Sequence, residues 1–466
     1  MADLLLVKNI RYLISCAGDT PVQENVNLLC CDGVIAYIGP EEKEADHVLD
    51  GSHLAVYPGL INTHHHLYQL FSRNLAAVQN MELFDWLRAL YRIWAGLNEQ
   101  VIYHSTLMGA AELLRSGCTT CQDHHYVFPK GSGRGLTDAQ FAAAATAGIR
   151  FHACRGSMDL SEKDGGLPPD SVAQSIDEIL EDCERVANQY HDSAPFAMRR
   201  VVFAPCSPFS VTGDLMRQSA ILARCMGVNL HTHLGETRDE TAFTLERFGM
   251  RPLEYARSLG WTGPDVSFAH GIHFNDEELE VLRDTGTCVA HCPISNMKLA
   301  SGVARVPDFL RMGIPVGLAV DGSASNDGSS MLEELRVGYL LHRLHASKDA
   351  PDGRAMLRIA TNGGAKLLGR DDIGSLAVGK AADFFAIDLR RPEADALRFD
   401  PEAFLCTVGF KGAVDYTVVN GEIVVKEGHC TRFDDMRAAE NAARVESRYL
   451  GFPVEAPRGF DDTKKI

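Results

Sequence analysis

Apolar residues along this chain follow two rhythms. Residues 1–57 carry short apolar runs, "LLLVKNIRYLI", "VNLLCCDGVIAYIG" and "HLAVYPG", separated by Gly and Asp turns. That is the pattern of short antiparallel strands. From Pro58 to about Arg370, strand-like runs alternate with helix-length amphipathic stretches. The runs are "GLINTHHH", "CTTCQDHH", "IRFHACRG", "RVVFAPCS", "VNLHTHL", "VSFAHGI", "TCVAHCP" and "PVGLAVDGS". Eight such units are the count of an α/β chain folded as a (β/α)8 TIM-type barrel. After Arg370 short strands return in "ADFFAIDL" and "VDYTVVNGEIVVKEG". The pattern predicts a barrel over residues 58–371, flanked by a β-sandwich joining residues 1–57 to 372–430. Residues 431–466 hold a helical stretch, "DDMRAAENAARVESRYL", and a Pro-containing tail expected to pack outside.

Composition narrows the function. The 466 residues are 45% hydrophobic and 23% charged, as in an ordinary globule. The 45 basic and 62 acidic side chains leave a formal charge of −17. Nucleic acid and anionic membranes need a basic patch, so neither is expected as a partner. "MADLLLVKNIRYLI" is broken by Lys8 and Arg11 and reads as a strand, not a secretory signal. No apolar run reaches the ~18 residues that would span a bilayer. Thirteen cysteines cannot all pair and show no regular framework, which points to free thiols in a reducing cytoplasm.

Residues able to do chemistry gather at the C-terminal ends of the predicted barrel strands. His64 and His66 end the first, His124 and His125 the second, and Arg155 the third. His231, His233 and Glu236 follow the fifth, His270 the sixth, His291 the seventh and Asp321 the eighth. In a barrel these ends surround one mouth, where active sites of this fold lie. In an extended strand residues i and i+2 face the same side. His64 and His66 can then both point inward while His65 points away. Glu236, three residues after His233, can lie beside a metal without ligating it, and Asp321 offers a hard oxygen from the opposite side. Three neutral imidazoles and a carboxylate suit a catalytic Zn²⁺ or Fe²⁺. Taken singly, each of these residues fits a packed core or a turn equally well, and His231 is read as a strand residue facing the other way. Their joint placement at successive strand ends is what argues for one site.

The runs "PGLINTHHH", "HLGET", "AHGIHF", "HCPISNMKLASG" and "VDGSASND", in this order, resemble the amidohydrolase superfamily, in its branch of aromatic-base and aminotriazine deaminases. "VGKAADF" and "VVNGEIVV" are similar to the closing sandwich strands of the same proteins. The resemblance implies one divalent metal held by His64, His66, His233 and Asp321, with Glu236 shuttling protons. It gives His270 a hydrogen bond to the attacking water or the developing oxyanion. Binuclear relatives carry a carboxylated lysine on the fourth strand, and "VVFAPCSP" has none, so a single ion is expected. "DHHYVFP", "RGSMDLSEKDGGLPPDSV" and "APCSPFSV" look most like bacterial 8-oxoguanine deaminases. That likeness implies hydrolysis of 8-oxoguanine to urate and ammonia, with isoxanthopterin, guanine or a hydroxylated or chlorinated s-triazine as rival substrates. Gln69 is then expected to pair with a base edge, Arg155 to hold a ring carbonyl, and Tyr126 and Trp94 to stack on or cover the planar ring. Cys154 stands where related sequences suggest Thr, and its side chain is expected to pack away from the ring. Family members imply a homo-oligomer. A non-catalytic barrel scaffold is the reading from a different class, and metal analysis separates it from an enzyme.

Overall fold

The computed structural model describes residues 3–451. The eight apolar runs form parallel strands whose order in the sheet follows their order in the chain. They are Leu60–Asn62, Cys118–His125, Arg150–Ser157, Arg199–Pro205, Asn229–Leu234, Val266–His270, Cys288–His291 and Val316–Leu318. Helices intervene, as parallel pairing demands. Their ends carry the expected local chemistry: Ser175 and Asn275 each close a capping box, with Glu178 and Glu278.

The first and last strands meet by a different means. Thr63 N donates to Leu318 O at 3.1 Å, and Val320 N donates to Asn62 Oδ1 at 3.0 Å. Above this seam His65–His66 pairs in parallel with Asp321–Gly322. The closure therefore brings the paired histidines against Asp321. It also breaks both strands, so His65–His66 form a short separate strand past Asn62, with His64 just before it, and not one continuous run.

Two sheets flank the barrel. A seven-stranded sheet mixes both ends of the chain, with Phe384–Asp388 antiparallel to Leu54–Pro58 at its centre. A four-stranded sheet of Val34–Gly39, Val26–Cys31, Leu4–Ile10 and His47–Asp50 comes from the N-terminal segment alone. Val7, Leu28, Val56 and Phe384 share the core between them. A buried ion pair ties this unit to the barrel: Arg150 reaches Asp383 through Nε at 2.8 Å and Nη2 at 2.9 Å. The helix Asp435–Leu450 lies on the barrel helix Glu99–Arg115, and Tyr449 donates its hydroxyl to Ile93 O at 3.0 Å. The Pro-containing tail, residues 452–466, lies outside the described residues. Among the described residues no helix is long and apolar enough to cross a membrane. All thirteen cysteines are free, including Cys118 and Cys121 of "CTTC", both buried in the second barrel strand.

Candidate metal centre and cavity

Proton placement decides what the clustered histidines can do. A backbone carbonyl can only accept a hydrogen bond. His66 Nδ1 faces His124 O at 2.6 Å, and His233 Nδ1 faces Cys206 O at 2.7 Å. Both Nδ1 atoms therefore carry the proton, and both Nε2 atoms carry a bare lone pair. Yet those two Nε2 atoms face each other at 3.1 Å. Two lone pairs at that distance repel unless a cation lies beside them. Asp321 Oδ1 lies 3.2 Å from His66 Nε2 and 3.2 Å from His64 Nε2. His64 Nε2 has no hydrogen-bond partner although it is fully buried. Burial also holds His64 and His233 neutral by pushing their basicity well below the ordinary histidine value. Three deprotonated nitrogens and a carboxylate oxygen, unshielded from one another, fit a divalent cation. The donor atoms of His64, His233, His270 and Asp321 all lie within 4.8 Å of one another.

The other Asp321 oxygen is held by the hydroxyls of Ser295 and Ser325. Asp321 (φ 66°) and His270 (φ 74°) both adopt left-handed backbone. Such backbone costs of order 1–3 kcal/mol per residue. At Asp321 it is held in place by the bond from its N–H to His64 O at 3.0 Å.

Beside the cluster stands a second pair. Glu236 Oε2 lies 3.5 Å from His270 Nε2, and Ser301 Oγ donates to Glu236 Oε1 at 3.3 Å. Burial pushes the Glu236 carboxyl above its ordinary value, against the opposing pull of His270. Burial works the other way on His270, but Glu236, Asp321 and a 2.9 Å bond from Nδ1 to Asn296 Oδ1 together lift it above its ordinary value. Behind them Glu240, buried and pushed up to about 7, accepts from the backbone N–H groups of Gly235 and Glu236 at 2.9 Å each and fixes their loop.

These groups floor a small cavity. Its walls include Leu83, Trp86, Leu87, Phe209 and Leu299. Gln69 and Tyr126 also line it. Gln69 Oε1 accepts from Ala324 N at 3.4 Å, and the Tyr126 ring stands edge-on to His66 at 5.0 Å. Gly322 lets Gln69 come this close: a Cβ at that position would sit 2.0 Å from Gln69 Oε1.

Two expected substrate contacts lie elsewhere. Arg155 is buried against Asp182, with Nε 2.6 Å from Oδ2, donates to Gln174 Oε1 at 3.1 Å, and lies over the Phe128 ring at 3.7 Å. It borders a separate cleft with Lys130 and Arg134. Its charge is satisfied within the fold, and it does not line the cavity above the histidine cluster. Trp94 is packed behind the wall, donating Nε1–H to Ser72 Oγ at 3.0 Å. Trp86, eight residues earlier on the same helical face, lines the cavity in its place, and its indole N–H has no partner. The buried stripe Leu83, Trp86, Leu87 and Leu90 carries that face, but the stripe does not say which tryptophan reaches the mouth.

His231 also departs from expectation. It shares the inward face with His233, and its Nε2 lies 2.8 Å from His64 Nδ1. His65 points away, against Ser329 at 3.1 Å. His124 donates through Nε2 to Ala204 O at 2.7 Å. His125 packs between Tyr68 and Phe128, and His291 faces His342 at 3.0 Å. Cys154 is buried with Val202 and Ala204, away from the cavity. Ser295, Asn296 and Ser301 hold Asp321, His270 and Glu236, roles that strand-end position does not signal. All three lie in "HCPISNMKLASG", so the run that signalled the family also carried them.

Known proteins share this arrangement of elements. The model of the amidohydrolase family matches residues 55–424, most of the chain. The chain belongs to the amidohydrolase family. This amidohydrolase is an enzyme among deaminase and hydrolase relatives. It is 43% identical over 452 residues to a hydroxydechloroatrazine ethylaminohydrolase of Pseudomonas sp. strain ADP, covering 93% of this chain and 94% of that protein. It is 48% identical over 350 residues to an 8-oxoguanine deaminase of Pseudomonas aeruginosa, covering 75% of this chain and 77% of that one. Among solved structures, the zinc complex of an atrazine chlorohydrolase from Arthrobacter aurescens superposes with a TM-score of 0.91 at 30% identity, over 95% of this amidohydrolase and 100% of that chain.

Proposed function

We propose that this amidohydrolase deaminates a small planar N-heterocycle, 8-oxoguanine, to urate and ammonia, with one zinc ion held by His64, His66, His233 and Asp321. The observation that carries the metal reading is the pair of unprotonated Nε2 atoms of His66 and His233, 3.1 Å apart beside Asp321. Bound there, a divalent ion supplies a water acidic enough to act as a nucleophile near neutral pH. Glu236 is the proton carrier. Its ionised form takes a proton from the water and returns it to the ring nitrogen beside C2 of 8-oxoguanine. His270, hydrogen-bonded to Asn296, presents Nε2 to the oxygen as charge develops there. After addition at C2, Glu236 takes the remaining proton from the new C2 hydroxyl and passes it to the amine, so the C2–N bond breaks, ammonia leaves and C2 becomes the urate carbonyl. Gln69 and Tyr126 orient the ring, and the apolar wall excludes water. We further propose that the enzyme works in the cytoplasm as a homo-oligomer.

Support for 8-oxoguanine comes from the 48% identity to a deaminase of that base. A second reading has its own support. The aliphatic wall of Leu83, Leu87 and Leu299 suits an N-alkyl substituent, and the ethylaminohydrolase relative matches over more of the chain. Amine release is the deciding experiment, using 8-oxoguanine, guanine, isoxanthopterin and an ethylamino-hydroxytriazine side by side. The proposal expects ammonia and urate from 8-oxoguanine at the highest kcat/KM. Ethylamine from the triazine as the dominant product would replace it with the second reading. Metal analysis of the purified chain distinguishes zinc from iron(II), and a chain free of both would favour the scaffold.

A further inference from the structure

Outside the proposed chemistry stand the cleft beside Arg155, the His291–His342 pair, the exposed Leu340 and Leu344 face, and the histidine beneath the metal cluster. His231 is fully buried, takes no place among the proposed ligands, and sits in an unbroken line of hydrogen-bonding atoms. Ser267 Oγ lies 3.4 Å from Leu230 O and 2.8 Å from His231 Nδ1, and His231 Nε2 lies 2.8 Å from His64 Nδ1. The far end of the line is His64 Nε2, one of the proposed ligand atoms.

We infer that Ser267 and His231 form a positioning relay that selects the tautomer of His64 and so keeps its Nε2 free for the ion. The inference rests on the metal reading above. The line allows only two proton orders. In the first, the Ser267 hydroxyl donates to Leu230 O, His231 Nδ1–H donates to Ser267 Oγ, and His64 Nδ1–H donates to His231 Nε2. His64 Nε2 is then a bare lone pair. In the reverse order every proton moves one place, and His64 Nε2–H points at the ion. That order cannot ligate a cation.

The proposed ion selects the first order, because it needs a bare lone pair on His64 Nε2, which lies 3.2 Å from Asp321 Oδ1. In that order the Ser267 hydroxyl, accepting from His231 Nδ1–H, is free to donate to the Leu230 carbonyl. Outer partners of this kind fix tautomer and ring orientation, and their loss typically weakens metal binding about 10–100-fold. His66 and His233 reach the same state through a carbonyl directly. His64 reaches it only through Ser267 and His231, so it is the one proposed ligand whose tautomer a hydroxyl can change.

The test is zinc affinity of the full-length protein, measured by competition with a chromogenic chelator. Ser267→Ala is expected to weaken zinc about 10–100-fold, and Ser267→Thr, which keeps the hydroxyl, to restore it. A second measurement needs no variant: histidine-selective ¹⁵N spectra of the wild type should show His231 and His64 both protonated at Nδ1. Zinc binding by Ser267→Ala within twofold of wild type, or a proton on His231 Nε2, overturns the relay and leaves the metal site standing. A wild type that takes up no zinc overturns the site and the relay together.

Discussion

The floor of the cavity and its wall are built on different physics. On the floor His66, His233, His270 and Asp321 each answer to a partner with a defined role: a carbonyl for two, an amide oxygen for the third, and two hydroxyls for the last. Changing one partner there changes a proton or a charge. On the wall Leu83, Trp86, Leu87, Phe209 and Leu299 offer apolar surface and one unpartnered indole N–H. Apolar contact is non-directional and tolerates changes of shape. The floor therefore commits the enzyme to one kind of chemistry, while the wall leaves the choice of ring open. Relatives with different leaving groups at 43% and 48% identity fit that division.

The contrast can be broken most sharply on the floor. Glu236→Gln keeps shape and loses the base, so kcat should fall about 10²–10⁴-fold with metal content unchanged by elemental analysis. His66→Ala should lose the metal itself, and added zinc should not restore turnover. Equal metal content in both variants would show that floor residues do not divide into ligand and shuttle. Away from both regions, Arg155→Ala removes one of the two guanidinium groups on buried Asp182 and leaves Arg185, 2.8 Å from its other oxygen. It should cost about 1–3 kcal/mol of stability in denaturant unfolding while KM stays put. A KM rise without loss of stability would return Arg155 to the substrate.

Acid should separate the two regions further. Glu236 acts as a base only when ionised, and burial raises its carboxyl above the ordinary glutamate value. As pH falls through that raised value the base is protonated, so kcat/KM should decline at a pH above the usual glutamate range. Substrate-analogue binding to the apolar wall should change less over the same interval. Gly322→Ala tests the border between floor and wall. The new Cβ would displace Gln69, whose Oε1 lies 2.0 Å from it. KM should rise several-fold, on the order of 1 kcal/mol for one lost hydrogen bond, with zinc retained.

How far the sequence could be read follows the same division. Alternation along an extended strand placed His64 and His66 together and turned His65 outward, because that rule depends only on local backbone geometry. The same rule, applied to "HTH", puts His231 inward beside His233, where the structure finds it. The expectation that it faced outward neglected that His231 and His233 are also i and i+2. Arg155 and Trp94 failed for another reason. Arg155 is neutralised by Asp182, 27 residues on and on the following helix, and no periodicity reports that pairing. Trp86 and Trp94 share a helix face, so burial alone cannot rank them.

By itself the sequence determined the barrel, its eight strands, and the identity of the groups that meet at its mouth, because strand alternation and motif spacing are properties of neighbouring residues. Only the tertiary structure decided which partner each histidine nitrogen faces, which tryptophan lines the cavity, and that Arg155 is already paired with Asp182. Those outcomes depend on hydrogen-bond partners far away in the chain, such as Cys206 for His233 and Ser267 for His231. Distance in sequence carries no information about them until the eighth strand closes against the first.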